Sequence, residues 1–153
     1  REMAETVYTG DEAADYLLNS RMSAAAREGI SLEIKAEFPW HTNIRSADLC
    51  AILGNLLDNA LEAAGKVKEP EERQAALTIR RIHRMLVIKV ENTFAEDVEE
   101  HDGELKTTKT DGGLHGWGLK SVRSAAEKYE GTLRTSWEGK RFRAVVTLVY
   151  QGV

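Results

Sequence analysis

One stretch constrains the chain more than any other. Residues 46–64 read SADLCAILGNLLDNALEAA, with Leu49, Ile52, Leu53, Leu56, Leu57, Ala60 and Ala64 at helical spacing. That pattern makes an amphipathic helix with one broad face turned to a core. Ser46 is placed to cap it and Gly65 to close it. Asn55 and Asn59 stand four positions apart, so they share one side of the helix a turn apart, and Glu62 follows three positions later. The three polar residues fall beside the apolar stripe, not opposite it. Asparagine is a poor helix former, so two of them in mid-helix call for an explanation. Either they are boundary side chains that bond to loop backbone, or they line a pocket that wants oxygen ligands. Carboxamide oxygens suit a hard cation such as Mg²⁺, which binds through one or two protein groups and substrate phosphates.

The elements around this helix define a fold class. A first helix is expected over residues 11–28, started by Asp11 and stopped by Gly29. In ISLEIKAEF, residues 30–38, Ile30, Leu32, Ile34, Ala36 and Phe38 alternate with polar residues, as in a strand with one buried face. Two strands are expected near 76–82 and 85–90, turning at His83-Arg84. A third helix covers 119–130, closed by Gly131, and strands over 132–137 and 142–150 turn at Glu138-Gly139-Lys140. This order predicts an α+β fold: a two-layer sandwich with a mixed five-stranded sheet and three main helices on one face. The chain has 153 residues, which suits one domain.

Charge and cysteine content exclude some classes. The net charge of −4 argues against a nucleic-acid binder, which would show a basic face. Cys50 is the single cysteine, so no internal disulfide forms; it suits a reducing cytosol and a core position. No apolar run reaches the length of a membrane span. No spacing of His, Cys or carboxylates suggests zinc.

Between residues 93 and 114 the apolar period vanishes. The segment is acidic at first, then rich in Thr, Lys and Gly. Loops of this length are usually functional or disordered. It ends in DGGLHGWGLKSV, which sets Gly112, Gly113, Gly116 and Gly118 just ahead of the third helix. Glycines let backbone amides approach an anion, and a helix N-terminus offers unpaired N–H groups. Lys106 and Lys109 add positive charge nearby, and Thr107, Thr108 and Thr110 add hydroxyls. A glycine entry to an ordinary helix would look the same. The stretch is not a Walker A loop, nor does it follow a strand as a dinucleotide fingerprint would.

An Asn-x-x-x-Asn helix followed by a long loop and Gly-x-Gly-Leu-x-Ser resembles the Bergerat-fold ATPases, among them DNA gyrase, a heat-shock chaperone, mismatch-repair ATPases and histidine kinases. The likeness covers nearly the whole chain. YLLNSRMSAAAREGISLEI, NLLDNALEAA, Asn-Thr-Phe after a strand, and HGWGLKSV are most similar to the ATP-binding domain of peptide-sensing histidine kinases. The resemblance implies MgATP as ligand. It implies that Asn59 ligates Mg²⁺ and that Asn55 holds the position one turn earlier. Hydrolysing members have a water-activating glutamate there. An amide takes up no proton at neutral pH, which favours handing the γ-phosphoryl to another acceptor. Glu62 matches an acidic position of the chaperone and gyrase branches. Asn92 falls where the family places the aspartate that meets the adenine amino group, but Phe94 stands where that box has its first glycine. Gly116, Gly118, Leu119 and Ser121 match the second glycine box, residues about 93–115 the ATP lid, Lys109 a γ-phosphate contact, and His115 a further phosphate contact.

The same resemblance implies a domain plan and partners. Residues 1–10 would be a remnant of a preceding helical dimerisation domain, and 11–153 the ATP-binding catalytic domain. The phosphoacceptor histidine would sit on that separate domain of the same receptor, with a response regulator downstream, in the cytoplasm. Membrane attachment would come only through sensor parts outside this chain. His41, His83 and His101 read as surface residues, Trp40 and Trp137 as structural ones, and Trp117 as exposed at the nucleotide. Related domains also serve as anti-sigma factors that phosphorylate serine, or as switch modules without nucleotide, and the altered first glycine box keeps that alternative open.

Overall fold

The computed structural model describes residues 9–38, 42–95 and 119–151. Their elements run α1 (Glu12–Arg27), β1 (Ser31–Ala36), α2 (Ser46–Gly65), a short 3-10 turn (Pro70–Glu72), β2 (Gln74–Ile82), β3 (Met85–Thr93), α3 (Lys120–Glu127), β4 (Thr132–Glu138) and β5 (Arg141–Val149). The five strands form one sheet in the order β1-β2-β3-β5-β4. β1 pairs parallel with β2, and every other pair is antiparallel. Parallel neighbours need a crossover connection, and α2 supplies it.

Alternation decides which face is covered. Leu86, Ile88 and Val90 of β3, Leu77 and Ile79 of β2, and Ala144, Val146 and Leu148 of β5 are buried. Their neighbours along each strand are half-buried or exposed. All three helices pack on the buried side. α2 lies over β2 and β3, flanked by α1 beside β1 and by α3 on β4 and β5. This is the α+β two-layer arrangement that the apolar patterns predict. No described helix is long and apolar enough to cross a membrane.

The connections give the sandwich two distinct ends. α2 joins two parallel strands, so it runs opposite to both of them and alongside β3. The C-terminal half of α2 therefore lies at the same end as Asn92, near the finish of β3. β5 is antiparallel to β3 and β4, so Phe142 and Trp137 share that end. The start of α3 lies there too, because its other terminus is tied to the far end, where Val149 donates its N–H to the Tyr129 carbonyl at 3.0 Å.

Local chemistry adjusts several expected boundaries. Asp11 caps α1 by accepting the Ala14 N–H at 2.9 Å, and Gly29 beyond the helix takes φ +70°. α2 starts without a side-chain cap: Arg45 holds that position, and the Ser46 hydroxyl donates instead to Asp11 at 3.0 Å. Gly65 belongs to α2 rather than closing it. β3 continues to Thr93, beyond the expected finish at 90, so Asn92 lies within the strand. At the end of α3 the left-handed residue is Glu130, φ 54°, not Gly131. The Glu130 and Gly131 N–H groups donate to the Glu127 and Ala126 carbonyls at 3.1 and 2.9 Å, the pattern of a Schellman ending.

Gly131 is needed for a different reason, because a Cβ there would stand 1.9 Å from the Thr147 carbonyl oxygen. That neighbour is sheet backbone and has little room to move. Gly131→Ala is expected to lower the free energy of unfolding by about 2 kcal/mol or more, the scale of an overpacked core. Urea denaturation of the two proteins side by side measures it.

Candidate functional site

Asn59 and Asn92 lie toward the same end of the sandwich, and Asn55 stands one turn before Asn59 at mid-helix. Asn55 is half-buried, and its Nδ2 donates to the Ala51 carbonyl one turn back at 2.9 Å. Asn59 is 9% exposed, and its Nδ2 is the only buried side-chain polar atom among the described residues without a hydrogen-bond partner. An unpaired buried amide costs about 1–3 kcal/mol, so the protein carries a polar group whose partner the described residues do not supply. Asn92 is 3% exposed on the helix-covered face of β3, and its Nδ2 donates to the Thr93 carbonyl at 2.9 Å. Its carbonyl oxygen takes no hydrogen bond from the described residues and is available as an acceptor.

Glu62 parts company with the two asparagines of α2. Its side chain is 45% exposed, lies 4.0 Å from Lys66, and lines an open groove between α1 and α2 with Arg21, Glu28 and Asp58. Arg21 and Asp58 close that groove at one point with a 2.8 Å ion pair. The strip of α2 therefore splits: Asn59 is buried, while Glu62 stands in solvent at the margin toward α1.

β3 and α3 bracket residues 96–118. On one side, Phe94 is buried and its N–H donates to the Lys140 carbonyl at 3.0 Å, which prolongs the β3–β5 pairing past Thr93. On the other, Leu119 is buried at the entry to α3, and Ser121 is exposed in its first turn. The first described turn of α3 carries no acidic residue and no side-chain cap. Lys106, Lys109, His115, Gly116, Trp117 and Gly118 lie outside the described residues, as do Trp40, His41 and His101. His83 is exposed in its turn, with φ 56°. Cys50 is half-buried against the core. Trp137, expected to be structural, is 45% exposed.

Sequence reasoning missed the polar clamp at the opposite end. Asp48, in the first turn of α2, is 8% exposed. It accepts the Tyr129 hydroxyl and, at 3.0 Å, the Lys128 ammonium, while the Arg45 N–H donates to the Tyr129 oxygen at 3.0 Å. The Tyr129 hydroxyl, helped by Lys128, holds the Asp48 carboxyl below its ordinary range against the opposing effect of burial. Burial first, then Asp48, pushes the Tyr129 hydroxyl up, so it stays protonated and donates. The clamp ties the C-terminal end of α3 to α2 and so sets where α3 begins at the amide-bearing end. Its signal in the sequence was faint, because an acidic residue in a first helical turn is ordinary.

A five-stranded sheet covered on one face by three helices is an architecture that known proteins share. A GHKL-domain family model matches residues 44–149. The chain belongs to that family. Among solved structures, the catalytic domain of the histidine kinase ThkA superposes with a TM-score of 0.65 at 15% identity, over 96% of each chain. The histidine kinase AdeS of Acinetobacter baumannii gives 0.65 at 12% identity, over 97% of this chain and 68% of that one. A histidine kinase of Burkholderia phymatum STM815 gives 0.66 at 15%, over 95% and 70%. At such identities the likeness speaks to the fold. Among curated proteins, no sequence matches significantly.

The clamp has a pH signature. The folded-state pKa of Asp48 lies below its unfolded value, so its contribution is present above about pH 4 and is lost as pH falls through the folded value. Asp48→Asn should cost about 1–2 kcal/mol at neutral pH. The gap from wild type should close as the medium is acidified below about pH 4, as read by denaturant midpoints across a pH series.

Proposed function

We propose that this chain is the ATP-binding catalytic domain of a two-component sensor histidine kinase. It binds MgATP and passes the γ-phosphoryl group to a histidine on a separate dimerisation domain. The observation that carries the reading is Asn59, a buried carboxamide on the central helix whose amide lacks a partner. It lies at the same end as the acceptor oxygen of Asn92 and the first described turn of α3. These groups fit a nucleotide's three parts. Asn59, with Asn55 beside it, would hold Mg²⁺ on the phosphates. The first turn of α3, with Leu119 and Ser121, would meet the phosphates themselves, joined by Gly116, Gly118, Lys109 and His115. Asn92 would accept from the adenine amino group, and Glu62 would lie at the margin.

The chemistry follows from what the residues can do. Phosphoryl transfer depends on positioning and on charge stabilisation. Mg²⁺ supplies the neutralising charge when bound. Asn55 takes up no proton at neutral pH, so that position offers no base to activate water, which favours transfer over hydrolysis. The kinase names of the structural neighbours and the sequence resemblance to the peptide-sensing branch support the same reading. The implied partners are the histidine-bearing domain of the same receptor and a response regulator, on the cytoplasmic side.

Calorimetric titration with ATP, with and without Mg²⁺, tests this. Wild type should bind saturably, more tightly with Mg²⁺. Asn59→Ala should weaken the Mg²⁺-dependent part by about tenfold or more, as expected on losing a contact to a charged group. Its melting temperature should not fall, since the amide it loses is unpaired and costs stability where it stands. Mg²⁺-dependent binding at unchanged strength in Asn59→Ala would refute the assignment.

A further inference from the structure

The strand register places an aromatic pair beside the adenine-site amide. Trp137 of β4 lies opposite Phe142 of β5, and Phe142 lies opposite Asn92 of β3. The row continues through Ala75 of β2. Side chains alternate across a strand, so the row shares one face with buried Leu133, Ala144 and Val90, which is the face the helices cover. At this end the cover runs out. Asn92 is buried, Phe142 is half-buried against the core, and Trp137 is 45% exposed.

On this face of β4 only Leu133 is buried while Thr135 and Trp137 are exposed, and a tryptophan left this open calls for something to cover it. Its neighbours indicate what that is. Asn92, nine-tenths buried and more, keeps an unengaged carbonyl oxygen at one end of the row, two strand spacings from Trp137, or roughly 10 Å. A flat aromatic surface with a hydrogen-bond acceptor at its inner edge matches a heteroaromatic base that carries an exocyclic amino group. Such a base offers an apolar face and an N–H donor in one rigid plane. Resting on the proposed nucleotide reading, we infer that Phe142 and Trp137 form the wall on which the purine ring of ATP lies, with Asn92 taking its amino hydrogen. Trp137 is thereby a specificity residue for the base, outside both glycine boxes and the asparagine helix. Phe142 is the inner part of the wall, and Trp137 its outer rim.

The test compares ATP with inorganic tripolyphosphate, each with Mg²⁺, on wild type, Trp137→Ala, Trp137→Phe and Asn59→Ala. Trp137 is exposed, so its variants should keep the wild-type melting temperature. Trp137→Ala should weaken ATP on the order of tenfold, the scale of one base stacked on one aromatic side chain, and leave tripolyphosphate unchanged. Trp137→Phe should recover most of the loss. Asn59→Ala should weaken both ligands. If wild type binds ATP and Trp137→Ala binds it equally well, the wall is overturned and the ATP reading stands. Equal loss of ATP and tripolyphosphate in Trp137→Ala also overturns it, because a base contact cannot act on a ligand without a base. A folded wild type that binds neither ligand refutes the ATP reading and the wall together.

Discussion

Asn59 sits in the helix that everything else in the sandwich leans on. α2 touches the sheet beneath it and a helix on each flank, so most of its circumference is committed to apolar contact. Leu49, Ile52, Leu53 and Leu57 are almost wholly buried along it. Burial of each such side chain is worth about 1.5–3 kcal/mol, which fixes how the helix can be rotated about its axis. Once the rotation is fixed, Asn59 has no way to swing into water. The helix thus carries a buried amide without a partner among the described residues, a local conflict of the kind found at functional sites.

The two ends of the molecule divide the work. At one, Asp48, Tyr129, Lys128 and Arg45 join the start of α2 to the finish of α3 through hydrogen bonds that leave the Asp48 carboxylate well satisfied. At the other lie Asn59 and Asn92. Two side-chain groups there lack a partner among the described residues: the Asn59 amide and the Asn92 carbonyl. The chain leaves the sheet beside Phe94 and returns at Leu119 at this end. A satisfied network rigidifies the scaffold, and under the proposed function the unsatisfied groups are the ones a nucleotide would engage.

Much of this was legible in the sequence because it rests on period and spacing. The strict alternation of residues 30–38, the stripe of 46–64 and the hairpin at His83-Arg84 each declared an element, and the five strands and three helices stand where those patterns place them. Asn55 and Asn59 were legible as a pair because they break a strong helix pattern. Boundaries were less so. Ser46 looked like a cap, but Asp11, distant in sequence, claims its hydroxyl. Glu130 and Gly131 exchanged roles, because a backbone contact with Thr147 decides the second position. Glu62 shares a helix face with the asparagines by spacing alone, yet the position of α1 decides how much water reaches it. The clamp and the Trp137–Phe142–Asn92 row depend on strand order and register, which no single segment encodes.

The most direct measurement follows the side-chain amide resonances in nitrogen–proton correlation spectra during addition of MgATP. The chain has five asparagines: Asn59 and Asn92 toward one end, Asn55 one turn before Asn59, Asn19 on α1, and Asn43 near Gln151 at the other end. The account predicts that the first three shift saturably and together, and that Asn19 and Asn43 stay still. Saturating MgATP that moves Asn19 or Asn43 while leaving Asn59 and Asn92 in place would contradict it.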